Sequence, residues 1–398
     1  MCNTFKVMSL SFLKYWFAFL VSCSLICNIS CKKISPPFAD TTPKTFSDVF
    51  EQYWNKMNVN YVYWDVDTTN WDNIYKKYKP LFAKLDLNNV ADIKKSVSYF
   101  KEMTSTLIDA HYYISFTQNS IIDSFAYPAY DRKKMSQTFH NPYSFYSVDT
   151  NYLDANFQLG IDYNFSFAGQ PLAVLYGTIN NSILYFSCND FSLSKAYNST
   201  TANKIQPVLN SFFNTLNNFP INIKGLIIDV RSNYGGDLSD LNFLAGRFID
   251  KPLLFGYTQY KIGNGKLDYS AWIPSYVNPQ ANSKSLIVPI IILADNVSAS
   301  LSEAVVMAIK AMSNSTFVGE TTFGATGPII SDNNVYNDGS FTVPNFMNVQ
   351  TSLAKFKYID GKIYEGTGFS PDVFVPFNLS ALQNNIDLQL EKAITLFK

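Results

Sequence analysis

Two apolar runs limit what this chain can become: Gly225–Val230 and Leu286–Ala294. Neither alternates cleanly with polar residues, and both read as buried strands. Each stops abruptly at a polar turn. Arg231-Ser-Asn-Tyr-Gly-Gly236 follows the first, and Asp295-Asn-Val-Ser-Ala-Ser300 follows the second. Further strand-like runs occur at Leu172–Tyr176, Ile183–Cys188 and Phe341–Val343, with a short one at Val373–Val375. Helical patterns separate some of them, over Thr201–Asn218, Leu238–Ile249 and Leu301–Met312. Strands alternating with helices predict an α/β body with a partly parallel sheet.

The chain begins differently. Lys6 and Lys14 precede the apolar run Tyr15–Ile26, the pattern of an export signal and too short for a membrane span. Four of its five cysteines cluster here, and Cys23 or Cys31 fits the lipidated cysteine of a bacterial lipoprotein. An ordinary cleaved signal and a short membrane anchor are the alternatives. We divide the chain into a signal region (1–31), a proline-containing linker (32–44), an N-terminal helical domain (45–114) and a catalytic domain (115–398). In the helical domain Phe50, Tyr53, Trp54 and Met57 recur at helical spacing, as do Ile74, Tyr75, Tyr78 and Leu81. The stretch Ser115–Ala168 is rich in Tyr, Phe, Asn and Ser and has no clear period.

Formal net charge is zero over 398 residues, which argues against a nucleic-acid footprint. Only Cys188 remains beyond Cys31, so the body has no internal disulfide. Its apolar setting favours a buried thiol over a catalytic one.

Two turns carry the chemistry. Gly235 and Gly236 let the backbone present N–H groups ahead of a helix start, which suits a developing oxyanion, although glycine pairs often only make tight turns. Ser300 and Glu303 have capping-box spacing, and on that spacing alone Ser300 is a helix cap. The sharper reading makes Ser300 a nucleophile whose neighbour Leu301 supplies an oxyanion-hole N–H.

Four segments together resemble the tail-specific/tricorn peptidase family, S41. Arg231-Ser-Asn-Tyr-Gly-Gly236 is similar to its Arg-x-Asn-x-Gly-Gly loop, and Ser298-Ala-Ser-Leu-Ser-Glu303 to its Ser-Ala-Ser-x-Ser-Glu turn. Val318-Gly-Glu-Thr-Thr-Phe-Gly324 and Glu365-Gly-Thr-Gly-Phe-Ser-Pro-Asp372 resemble two further motifs, in the family's order. That order overturns the cap reading of Ser300. The resemblance implies a crotonase-like (ClpP/crotonase-type) α/β core behind a small helical domain, without a clear PDZ insertion. It also implies a serine-type peptidase.

One departure is informative. The processing branch of the family carries a base lysine where this chain has Ala325. The tricorn-like branch uses a histidine in Leu-x-Asp-x-His, which Leu107-Ile-Asp-Ala-His111 resembles. The resemblance therefore points to His111 as base and Glu365 as the acid that steadies it. The branch's second serine, before the histidine, is Ala110 here. Asp109 is read as a local turn residue, Asp229 and Arg231 as supports of the glycine loop, and His140 receives no role. No cluster has metal-ligand spacing, and neither metal nor cofactor is expected. The expected protein is an exported, membrane-anchored cell-envelope lipoprotein that cleaves a peptide or protein substrate. An inactive relative that binds peptides or apolar ligands is the alternative. Oligomeric state, substrate and the identity of the membrane are not encoded in any of these signals.

Overall fold

A computed structural model describes residues 41–167, 169–329 and 336–397. The signal region, with Cys23 and Cys31, lies outside the described residues. Among these, no helix is long and apolar enough to cross a membrane.

Three helices open the described chain: α1 (Phe46–Asn60), α2 (Trp71–Phe82) and α3 (Val90–Thr104). Side chains cap each start. Thr45 Oγ1 accepts from Asp48 N–H (3.2 Å), and Asn70 Oδ1 from Asn73 N–H (3.0 Å). Asn89 Oδ1 accepts from Ala91 N–H (2.9 Å). Helices of 12–15 residues are marginal alone, so packing decides their stability. That packing is aromatic. Trp54 stacks on Trp71 with centroids 4.5 Å apart, and Phe50 stacks on Phe82 at 5.0 Å. Burying each such ring contributes roughly 1.5–3 kcal/mol. The same cluster takes in Val343, Phe346, Met347 and Val349 from far along the chain. They belong to or flank a small sheet ordered β11–β12–β1–β2, with β1 Tyr113–Phe116, β2 Phe125–Ala126, β11 Phe341–Val343 and β12 Met347–Gln350.

The body is a seven-stranded sheet in the order β14–β10–β9–β6–β5–β4–β3. Strands β5 (Ile183–Cys188), β6 (Gly225–Asp229), β9 (Ile290–Ala294), β10 (Ser315–Gly319) and β14 (Val373–Phe374) run parallel. Strands β3 (Gln158–Phe167) and β4 (Gln170–Ile179) add an antiparallel edge. Strands β7 (Leu253–Tyr260), β8 (Ile273–Val277) and β13 (Ala354–Tyr358) form a separate three-stranded sheet. The unbroken apolar runs sort by the pleat. Leu226, Ile228, Ile290 and Ile292 face one core, and Ile227, Ile291 and Leu293 face the other. Helices Gln206–Asn217 and Leu301–Lys310 cover the first face, and Leu388–Thr395 covers the second. Both faces are thus buried, as a parallel sheet requires.

Candidate active site

Strands β6, β9 and β10 are neighbours that run the same way, so their carboxyl ends release three loops at one edge. These are Arg231–Gly236, Asp295–Ser300 and Glu320–Ala325. Ligand sites of open α/β sheets lie in such crevices.

Ser300 precedes the helix Leu301–Lys310 with φ 57° and ψ −120°. For a residue with a Cβ this backbone costs of order 1–3 kcal/mol. An ordinary helix cap is extended, so capping does not account for the strain. The Ser300 N–H donates to the Glu303 carboxylate (3.3 Å), and Glu303 N–H returns to the Ser300 carbonyl (3.0 Å). Gly235 lies against this turn at φ 103°. A Cβ there would sit 2.8 Å from Ser300 Cβ, from Ala299 O and from Leu301 N. Only glycine lets the two loops meet so closely.

Asn233 joins the loops. Its carbonyl accepts from Ala299 N–H (3.0 Å) and Ser302 Oγ (2.8 Å), and its side chain accepts from Gly235 N–H (2.8 Å). The Gly235 amide is therefore engaged. The Gly236 and Leu301 N–H groups have no hydrogen-bond partner among the described residues. The supports of the glycine loop are also ionic. Arg231 is buried among Asp229, Asp387 and Asp149, and its guanidinium lies 3.9 Å from the Phe145 ring centroid.

His111, Ser300, Gly236 and Ala325 line one cleft of about 1410 Å³. Packing among Ala110, Ala299, Phe323 and Ala325 draws the histidine and serine segments together. No hydrogen bond joins Ser300 to His111, and His111 Nδ1 is buried without a partner among the described residues. Burial pulls the imidazole pKa down, while the charge of Asp109 pulls it up; the net direction is down. A ring nitrogen of His111 and an oxygen each of Asp109 and Glu365 all lie within 4.8 Å of one another.

Both acids are spoken for by backbone and hydroxyl donors. Asp109 accepts from His111 N–H (2.9 Å), Ser352 N–H (2.7 Å) and Ser352 Oγ (2.9 Å). Glu365 accepts from Ala110 N–H (2.7 Å), Thr326 N–H (2.8 Å), Thr326 Oγ1 (2.9 Å) and Gly327 N–H (2.9 Å). Burial, then the charge of Asp109, pushes the Glu365 carboxyl up to about 8, against the pull of the Ala110 N–H. Glu365 thus grips the backbone beside His111 and stands near the ring without bonding to it.

Several contributors were not legible in the sequence as site residues. Glu303 read as half of a capping box and as the last residue of the Ser298–Glu303 motif, with no role of its own. Its buried carboxylate also accepts from Thr322 Oγ1 (2.6 Å), Gly324 N–H (2.8 Å) and Ala325 N–H (2.6 Å), fixing the third loop. Asp295 accepts from Ser298 N–H (3.0 Å) and also from Ser232 N–H (2.9 Å), 63 residues earlier. The first bond has a local Asp-x-x-Ser signal; the second has none. Tyr127, Tyr130, Tyr143, Phe145 and Tyr146 from the aperiodic stretch line the cleft. Cys188 also borders it, and burial pushes its thiol well up, away from thiolate chemistry.

A strained serine at a helix start is thus set against a glycine loop at the carboxyl edge of a parallel sheet. The fold is a mixed α/β core behind an N-terminal helical region. It is shared with a candidate peptidase from Parabacteroides merdae (TM-score 0.67, 22% identity, 89% of this chain and 97% of that one). Mature CPAF shares it too (TM-score 0.57, 12% identity, 89% of this chain and 96% of that one). In sequence, residues 182–375 match peptidase family S41 and residues 42–88 match the tricorn protease C1 domain. The carboxy-terminal processing protease CtpA of Bacillus subtilis is 25% identical over 206 residues, covering 51% of this chain and 39% of that protein. The match thus spans about two-fifths of that relative's length. Peptidase family S41 is thus the family that this chain resembles, over residues 182–375.

Proposed function

We propose that this protein is an exported, membrane-anchored serine peptidase that hydrolyses peptide bonds with Ser300 as nucleophile and His111 as general base. One observation carries the reading: the strained Ser300 stands against the glycine loop, on the same cleft as His111. A neutral imidazole is needed to take the Ser300 proton, and burial favours that form. The alkoxide attacks the peptide carbonyl, and the oxyanion is received by the N–H groups of Gly236 and Leu301, the two left open. His111 passes its proton to the leaving amine, and water then cleaves the acyl-enzyme. Glu365 holds the His111 segment through Ala110, and in its ionised form it lies close enough to stabilise the imidazolium through an intervening water. Export and a lipid anchor at Cys23 or Cys31 rest on the N-terminal pattern.

A fluorophosphonate probe tests the reading. Labelling of the wild type should vanish in Ser300→Ala and fall by about 10²-fold or more in His111→Ala. Absence of labelling in a folded wild type would move the assignment to a peptide- or ligand-binding protein. A radiolabelled fatty acid incorporated into wild type, and lost from one cysteine variant, tests the anchor and identifies its residue.

A further inference from the structure

The cleft has a wall with no regular strand behind it. Pro142, Tyr143, Ser144 and Phe145 line it, and the segment from Thr138 to Tyr146 is tied down at three points. Asn296 Nδ2 donates to the Thr138 carbonyl, and Tyr143 N–H donates to Ser232 Oγ (3.0 Å). The third tie is His140. Its ring stacks on Phe377 with centroids 3.8 Å apart and planes 11° apart, and its side chain is only 9% exposed.

The surroundings of that ring dictate its protonation. Nδ1 is 2.9 Å from the Asn141 carbonyl, which can only accept. Nε2 is 3.1 Å from Glu320 Oε2 and 3.7 Å from Asp295 Oδ2. Those carboxylates receive donors elsewhere: Glu320 Oε1 accepts from Phe377 N–H (3.0 Å), and Asp295 from the N–H groups of Ser232, Val297 and Ser298. Both ring nitrogens face acceptors, an arrangement that favours the doubly protonated ring.

Its carboxylate partners are the ends of two adjacent strands. Glu320 follows β10 and Asp295 follows β9. Asp295 is also the joint between the glycine loop, through Ser232, and the nucleophile turn, through Val297 and Ser298. The other charges near the ring are Arg231, which acts on Asp295 from the β6 end, and Lys134, across the small hollow beside Phe377.

We propose that His140 is a positioning residue that, as an imidazolium, clamps the 138–146 wall of the cleft onto Asp295 and Glu320 and so holds the Ser300 site in register. The clamp follows from the geometry alone; its effect on rate rests on the peptidase reading above. Hydrogen bonds and charge from Glu320 and Asp295 outweigh the burial that opposes them, so the ring titrates above its ordinary value of about 6.5. A raised imidazole value means stability present at lower pH and lost as pH rises through the folded-state value. His111 titrates in the opposite direction, below its ordinary value. The two histidines therefore bracket a pH window in which the base is neutral and the wall is clamped.

Ring nitrogen NMR of the full chain, with histidine labelled at both ring nitrogens, should show His140 doubly protonated at neutral pH while His111 is neutral. Amide exchange over 138–146, corrected for its intrinsic pH dependence, should quicken by about tenfold or more as His140 loses its proton. Wild-type fluorophosphonate labelling should fall at alkaline pH as the clamp is lost; in His140→Gln the same segment should exchange fast at every pH, and that fall should be absent. A neutral His140 at neutral pH overturns the proposal. So does unchanged 138–146 exchange in a folded His140→Gln. If the variant does not fold, the wild-type titration decides alone. If the wild type is not labelled at all, the peptidase reading fails while ring NMR and exchange still judge the clamp.

Discussion

Ser300 holds a backbone conformation at φ 57° that glycine would adopt at little cost. The strain, of order 1–3 kcal/mol, opposes folding and is retained at the residue that faces the glycine loop. Two variants separate strain from chemistry. Ser300→Ala removes the hydroxyl and keeps the strain. Ser300→Gly removes both, although it adds roughly 0.5–1 kcal/mol of unfolded-chain entropy. Relief should outweigh that entropy, leaving Ser300→Gly more stable than Ser300→Ala by about 1 kcal/mol. Denaturant midpoints of the two variants, neither of which should be labelled by a fluorophosphonate, check this. A Ser300→Gly that is less stable than Ser300→Ala would show that the turn is not strained.

At the scale of elements, the Ser300 turn is supported by the carboxylate of Glu303, which reaches four donors on two loops. Burial pushes this carboxyl up to about 6 against the opposing pull of Thr322, Gly324 and Ala325. Glu303→Gln replaces one oxygen with an NH₂ that must face N–H donors. The expected cost is about 1–3 kcal/mol in stability, since a buried donor is left unmatched. The 320–325 loop should also loosen, so labelling of Ser300 should slow more than unfolding alone explains. Urea unfolding followed beside labelling rate gives both numbers.

The same scale shows what the sequence could convey. Strands β5, β6 and β9, and the helix after Ser300, were legible because hydrophobic period is a local property. Strand β3 carries a clear alternation at Leu159, Ile161, Tyr163 and Phe165 that the reading of 115–168 passed over, and the structure turns two of these residues outward, with Leu159 and Tyr163 exposed and Asp162 buried. Gly235, Ser300 and His111 were legible through motifs in order. Asp295 and the His140 wall were not, because their contacts join residues 63 to 180 apart and leave no period or spacing to read.

At the scale of the molecule, three distant stretches meet around one histidine. Asp109 accepts from Ser352, Glu365 accepts from Ala110, and His111 sits between these two carboxylate anchors. His111 therefore reaches the Ser300 cleft only when the 109–111 segment, the stretch at Ser352 and the 365 segment are all docked. Acid should act on this junction. His111 titrates below its ordinary value in the folded protein, so over the window beneath about 6.5 the unfolded chain binds the extra proton. Stability then falls as pH drops through that window. Glu303 and Asp190 act oppositely: burial raises both to about 6, so they bind protons more readily when folded and gain stability on acidification. A single melting curve mixes these contributions, and a difference between variants isolates one. His111→Asn cannot take up the proton. Its thermal midpoint, measured by calorimetry at pH 7 and pH 5, should fall less than that of the wild type. Equal falls would mean that His111 is solvated well enough to charge freely in the folded state, which would remove the physical reason for it to be a neutral base near pH 7.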